Sequence, residues 1–494
     1  MIFAKYCFLK SKLIKYILLV AFLIRLYNLN FPVSGWHSWR QADTASIAKN
    51  FYENGHNILY PQIDWGGNTP GYVESEFQIY PFFVSALYFV FGVNDTWGRL
   101  LSVIFSILTI YGLYLLVRKT ISEQVALWSA FIYAVIPLNI YYSRAFMPES
   151  MMLMCIVFGI YFFVKWVEGD KWKNLIYSAL FISFSILLKI PTLYIGLPLI
   201  FLAFQKYRWK PFGNLTLWVY ALLVFVPVVL WYYHAHNLYL QTGLSFGIWG
   251  FGEDKWGNFN LLINPEFYNT VFFKSIAERH LTWAGFIPFI IGLFIKREHK
   301  NEKLFDFWLI SVLVYFLIVA GGNKSHEYYQ LPFILPASVF AARAFAKYLP
   351  LKNISSSFSA HKLRFTFFAV CLIVMLVLSY LRIANFMRGE DRNAVVFTMS
   401  NEIKKYTAKN DLIVTLCDGN PVYLYLADRK GWFIVPSNFE IKNIEKLKIL
   451  GAKYITGEKL FLKTSENFAV LDSLKNNYRV VKNEESYFLI SLLE

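Results

Sequence analysis

The sequence predicts a polytopic α-helical membrane protein of about eleven transmembrane helices, followed by a small C-terminal α/β domain. Three observations predict it. The 494 residues are 57% hydrophobic and only 16% charged, where a soluble globular chain is nearer half apolar and about a quarter charged. Apolar runs of about 16–20 residues recur along the chain, each long enough to span a bilayer. After Arg388 the composition changes to short β-type runs alternating with helical patterns, the pattern of a small α/β unit.

The first apolar stretch, Ile14 to Leu29, follows Lys5, Lys10 and Lys12 and includes Lys15. A cleaved signal is the rival reading, but no small-x-small cleavage site follows, so an uncleaved first span is expected. Further spans are expected near 97–117, 124–141, 150–166, 173–188, 191–205, 216–233, 281–296, 305–320, 330–346 and 364–382. Alternate loops, with the N-terminal lysines, hold 20 Lys/Arg. By the positive-inside rule that side is cytoplasmic. An odd number of spans then places the N-terminus in the cytoplasm and the C-terminal domain outside the cytoplasmic (inner) membrane. The expected organisation is a transmembrane domain over 1–389 with long outer loops at about 31–96 and 234–280, then an extracytoplasmic accessory domain over 390–494. The apolar but short stretch 78–92 is read as an interfacial helix.

The net charge of +16 marks orientation, not a nucleic-acid partner, because residues 390–494 hold 15 Lys/Arg against 14 Asp/Glu. Cys417 is the single cysteine of the C-terminal domain, so that domain has no internal disulfide, and neither Cys nor His shows metal-ligand spacing.

The outer segments carry the chemistry. Asp43, in Trp39-Arg40-Gln41-Ala42-Asp43, follows the first span by about a dozen residues. A carboxylate there can act as general base or hold a divalent metal; it can equally cap a helix or pair with Arg40. Glu149, after Arg144-Ala145-Phe146-Met147-Pro148, lies at the start of the fourth span, where a helix dipole stabilises an acid without any function. Arg144 is a candidate partner for Glu149 or a phosphate ligand. Glu74 and Glu76 precede the interfacial helix and suit metal or hydroxyl binding, or a solvated loop edge. Lys189, before Pro191 at the expected outer end of the fifth span, either snorkels to the headgroups or pairs with a buried anion; the second is expected. Gly321-Gly322-Asn323-Lys324-Ser325-His326-Glu327-Tyr328-Tyr329 reads as a flexible polar turn suited to a phosphate at the membrane surface, or as interfacial anchoring. The 234–280 loop, with Trp249-Gly250-Phe251-Gly252, reads as a lid or as an aromatic loop docked on the membrane.

Taken in order, these words resemble the GT-C class of polytopic glycosyltransferases, in particular the protein mannosyltransferase and aminoarabinose lipid A transferase group (glycosyltransferase family 39-like). The likeness covers about residues 10–350. Asp43 matches that group's acid in the first outer loop. Tyr80-Pro81-Phe82-Phe83, the arginine-led Arg99-Leu100-Leu101-Ser102, Glu149 as second acid, Lys189-Ile190-Pro191 and Tyr328-Tyr329-Gln330-Leu331-Pro332 follow in the group's order. Thr44 stands beside Asp43 where the group often has a second acid, and Glu149 stands where Asp is commoner.

The resemblance implies transfer of a sugar from a polyprenyl-phosphate-linked donor to a cell-envelope lipid, glycan or protein acceptor. It implies Asp43 as general base with inversion at the anomeric carbon. Lys189, Lys324, His326 and Arg144 are then expected at the donor phosphate, with Tyr328 and Tyr329 beside it. Glu149, Glu76 and Arg40 are expected to orient acceptor or sugar. A divalent metal is the one cofactor in view, with Asp43 and Glu149 its candidate ligands. The rival classes are a transporter or lipid flippase, and an O-antigen-type ligase or polymerase. A transporter would show internal repeats and polar sites on broken helices in mid-membrane; here no repeat is visible and the ionisable residues gather at the expected outer interface.

Overall fold

A computed structural model describes residues 2–246, 255–352, 358–359, 361–388, 390–391 and 394–493. Of the expected lid, 234–280, residues 247–254, with Trp249–Gly252 among them, lie outside the described residues. In chain order the helices are α1 (Ile2–Arg25), α2 (Ser38–Glu53), α3 (Ile79–Phe91), α4 (Asp95–Thr120), α5 (Glu123–Val135), α6 (Pro137–Tyr142), α7 (Glu149–Gly169), α8 (Trp172–Leu188), α9 (Gly196–Tyr207) and α10 (Leu215–Thr242). Then follow α11 (Phe259–Ile263), α12 (Pro265–Tyr268), a π-helical stretch (Asn269–His280), α13 (Thr282–Phe294), α14 (Lys303–Ile318), α15 (Ala320–Ser325), α16 (Leu331–Tyr348) and α17 (Lys362–Arg388). Among the described residues five helical segments are long and apolar enough to cross a membrane: α4, α7, Ile190–Tyr207, α10 and α17.

The chain divides into two compact units. One comprises Met1–Leu29, Arg99–His234 and Gly252–Phe386; the other comprises Asn30–Gly98, Ala235–Phe251 and Met387–Glu494.

The first unit is the helical one. Its helices pack where small residues let backbones approach, the usual device when lipid is as apolar as the helix surface. Gly159 of α7 faces Ile182 of α8 with no room for a Cβ, and Ser178 donates 2.8 Å to the Gly159 carbonyl. Gly292 of α13 lies against the Phe340 carbonyl of α16 in the same way. Ser122 caps α5, accepting from the Val125 N–H at 3.3 Å. The stretch expected as one span over 124–141 is broken at Ile136–Pro137, where Ile136 is extended (φ −60°, ψ 126°), as a residue before proline prefers.

The second unit joins a small loop core to a sheet. Ile47, Phe51, Ile63 and Val73 form that loop core behind α2. The expected interfacial helix is α3, ended by Gly92 at φ 78°. The C-terminal part holds β1 (Leu412–Leu416), β2 (Gly431–Ile434), β3 (Ala452–Glu458), β4 (Arg479–Asn483) and β5 (Tyr487–Ser491). The sheet order is β2-β1-β3-β5-β4. β1 runs parallel to β2 and β3, while β5 is antiparallel to β3 and β4. Val414, Leu416, Ile455, Phe488 and Ile490 are central to its core.

The segment 234–280, expected as a loop, is largely helical where described. α10 runs on to Thr242, and residues 259–280 form α11, α12 and the π-helical stretch. A π-helix has i→i+5 bonds, so its apolar residues do not recur at the spacing that marks an α-helix.

Candidate active site

Asp43 belongs to the second unit. It lies in the second turn of α2, a helix of low mean hydropathy whose residues from Arg40 to Ala48 are all buried. The N-cap is His37, in the left-handed region at φ 53°, so Asp43 caps nothing. Its side chain is 4% exposed, and Oδ1 accepts a 2.9 Å hydrogen bond from Nε1 of Trp65. Burial pushes the carboxyl up to about 7, the Trp65 bond and Arg40 pull it down, and Asp64 adds a further push upward. A buried acid near neutrality is the condition in which a carboxylate can take a proton at physiological pH.

The neighbours of Asp43 are ordered by the same short segment. Asp64 is buried and accepts from Asn50 Nδ2 at 2.9 Å; its carboxyl is also raised, mainly by burial. Arg40 donates to Glu76 at 3.1 Å and lies 5.4 Å from the Phe246 ring centre. Glu74 is buried, not a solvated edge, and accepts from the Ser245 hydroxyl. Its backbone is bridged to 244–246 by Glu74 N to Leu244 O at 3.0 Å and Phe246 N to Glu74 O at 2.8 Å.

Glu149 belongs to the first unit. It opens α7 behind Pro148 and is 1% exposed. Oε1 accepts from Lys189 Nζ at 3.0 Å, while Oε2 has no hydrogen-bond partner among the described residues. Lys189 ends α8 and is itself buried. Its ammonium sits 4.7 Å from the Tyr328 ring centre and 4.3 Å from that of Tyr329, a cation held over two aromatic faces. His326 stacks on both rings, at 5.5 and 6.0 Å between centroids. Lys189, Glu149, Tyr328, Tyr329 and His326 therefore form one cluster.

Arg144 is buried and donates to the Asn28 carbonyl at 3.0 Å, so the ion pair of Glu149 runs to Lys189. Gly321, Gly322 and Asn323 belong to the short helix α15 and are buried, where a flexible turn was expected. Lys324, near its end, is exposed.

Arg25 and Trp65 went unread in the sequence, and Asp64 stood only among the outer-loop acids, with no role of its own. Arg25, fully buried, donates to Ser106 Oγ at 3.2 Å, Ser143 Oγ at 2.6 Å and the Ala21 and Ala134 carbonyls at 3.1 Å. A cation inside the first apolar stretch was its signal. Asp64 and Trp65 were signalled only by an acid and an indole ahead of Gly66-Gly67.

Among the described residues no group of three or more His, Cys, Asp or Glu side chains comes together as a metal's ligand set. The candidate ligands have other partners: Oδ1 of Asp43 takes the Trp65 N–H and Oε1 of Glu149 takes the Lys189 ammonium.

Residues 78–231 match the family model described as dolichyl-phosphate-mannose-protein mannosyltransferase. No curated protein matches the chain. ArnT from Cupriavidus metallidurans, solved bound to undecaprenyl phosphate, is 13% identical with a TM-score of 0.65, over 98% of either chain. The fold is ArnT-like, a GT-C fold. The same fold relates the chain to the Archaeoglobus fulgidus oligosaccharyltransferase, at 12% identity and TM-score 0.62 over 92% of this chain and 71% of that one. AglB from Archaeoglobus fulgidus, solved with an inhibitory peptide and a dolichol-phosphate, gives TM-score 0.60 at 12% identity over 94% of this chain and 72% of that one. The ArnT match spans 98% of this chain, and so takes in both the helical unit and the small C-terminal sheet.

Proposed function

We propose that the chain is a membrane glycosyltransferase that moves a sugar from a polyprenyl-phosphate-linked donor to a lipid, glycan or protein acceptor on the outer face of the cytoplasmic membrane. Asp43 carries the reading: a buried carboxyl that burial raises to about 7, on a polar helix buried from Arg40 to Ala48, in a GT-C fold. Undecaprenyl phosphate on ArnT and dolichol-phosphate on AglB support the donor class.

In this reading Asp43 accepts the proton of an acceptor hydroxyl or amide as its oxygen or nitrogen attacks the anomeric carbon. The bond from that carbon to the phosphate oxygen breaks, and its electron pair leaves with the polyprenyl phosphate. One displacement inverts the anomeric centre. A phosphate is a good leaving group and needs cationic stabilisation more than an acid, a task for Lys189 with Tyr328, Tyr329 and His326, and for Arg144 and the exposed Lys324. Glu149 holds Lys189 and, through its Oε2, buried and unpartnered among the described residues, is suited to a sugar hydroxyl. Arg40 and Glu76 orient the acceptor. No step is routed through a metal.

The test is release of free polyprenyl phosphate by lipid-reconstituted protein given a panel of polyprenyl-phosphate sugars, with and without cell-envelope extract. Asp43→Asn is expected to lower turnover by about 10²–10⁴-fold, the usual worth of a general base. Wild-type turnover in Asp43→Asn, or no turnover of any donor by folded wild type even with extract, sinks the reading.

A further inference from the structure

Asp43 takes its hydrogen bond from Trp65, and Trp65 is held by the C-terminal sheet. β2 is an edge strand, paired on one side with β1. Its other side is occupied by residues 64–67. The Gly431 N–H donates to the Asp64 carbonyl at 3.0 Å, and the Gly67 N–H donates to the Gly431 carbonyl at 2.8 Å. The indole of Trp65 packs on Phe433 of β2 at 5.3 Å between ring centres. Gly67 lies flat on Trp432, with φ at +68° and no space for a Cβ, so glycine is required there both sterically and conformationally. Backbone bonds, a ring contact and a glycine seat thus tie four consecutive residues to one sheet edge, and the second of the four touches Asp43.

We propose that the C-terminal sheet is a positioning element for the base: its edge strand β2 grips Asp64–Gly67, and Trp65 from that grip fixes the Asp43 carboxylate. Trp65 is a positioning residue that acts through Asp43. The role rests on the reading of Asp43 as base, but the physical link from sheet to carboxylate can be tested without it. An indole N–H can only donate, so it favours the charged, acceptor form of the acid. The other charged groups facing Asp43 are Arg40 on its own helix and Asp64 on the gripped segment; Lys49 and Lys430 act on Asp64.

The experiment uses full-length protein and needs no sugar donor. An apolar carbodiimide reacts with protonated carboxyls, so the labelling of Asp43, followed by peptide mass spectrometry across the range from about pH 5 to about pH 9, reads its protonation directly. Wild type is expected to lose labelling with a midpoint at about 7. Trp65→Phe, which keeps the ring on Phe433 but removes the N–H, is expected to raise the midpoint by about one pH unit, the worth of a hydrogen bond to a charged group. Gly67→Ala keeps the indole but unseats the segment from Trp432, and is expected to move the midpoint the same way. Folded Gly67→Ala protein that labels at the wild-type midpoint overturns the proposal, and so does folded Trp65→Phe protein that does the same. If the midpoints move but Asp43→Asn still turns over donor, the base assignment fails while the link from sheet to carboxylate stands.

Discussion

Replacing Lys189 by Met keeps the length and most of the volume of the side chain and removes only the charge. The partner is then stranded. Glu149 is 1% exposed at its side chain against 9% for Lys189, and one of its oxygens already lacks a partner among the described residues. Breaking a buried ion pair by deleting one member costs about 3–5 kcal/mol, because the remaining charge is neither solvated nor compensated. Lys189→Met is therefore expected to lose that much stability in a denaturation series in micelles, followed by intrinsic fluorescence. Glu149→Gln is expected to cost less, since Lys189 keeps the Tyr328 and Tyr329 faces, which hold a desolvated cation by up to about 2 kcal/mol. The double variant leaves no charge behind, and replacing a whole buried pair is often neutral, so it is expected within about 1 kcal/mol of wild type. A double variant that loses the sum of the two single losses would refute the reasoning, since the residues would then be energetically independent.

Turnover and stability are expected to move in opposite directions with pH. The Asp43 carboxyl is raised by burial from 3.8 to about 7, so its base form is lost as pH falls and the initial rate should drop about tenfold per pH unit below that value. For stability the sign reverses: the folded state holds a proton that the unfolded chain has released, so the stabilisation is full below pH 3.8 and is lost as pH rises through about 7. A rate profile with no limb near neutrality would count against Asp43. Arg25→Met removes four buried hydrogen bonds and leaves Ser143 and the Ala134 carbonyl wanting donors, so it is expected to cost about 3 kcal/mol or more in the same denaturation series; a loss under about 1 kcal/mol would show that other donors replace it.

The helical class was legible because apolar runs and alternating cations are local signals. The five strands of the C-terminal sheet also stood close to where short β-type runs lie. The helices Val395–Tyr406 and Ser465–Asn477 were not read, although Thr464 caps the second by accepting from the Asn467 N–H. In the second, charged and amide residues dilute the apolar stripe; in the first, Val396, Met399 and Ile403 recur at helical spacing on the buried face, a signal that was present and passed over. At the candidate site, placement after the first apolar stretch was enough to single out Asp43. Its donor Trp65 is 22 residues away in the chain, and nothing local in sequence links them. Lys189 stood out as a cation against the charge trend, but its partner lies 40 residues upstream, and the adjacent Arg144 was an equally plausible choice until the fold turned it toward Asn28.

The grip of residues 64–67 on β2 has a consequence apart from Asp43. A sheet edge with free N–H and C=O groups is a template for a strand from another chain. Here Gly431 spends both of its outward backbone groups on Asp64 and Gly67, and Trp432 is covered by Gly67. That side of the sheet is closed to a foreign strand from within its own polypeptide. A C-terminal fragment expressed without the segment around Trp65 would present an uncovered β-edge beside two large aromatic rings, and self-association through β2 is the failure expected of it.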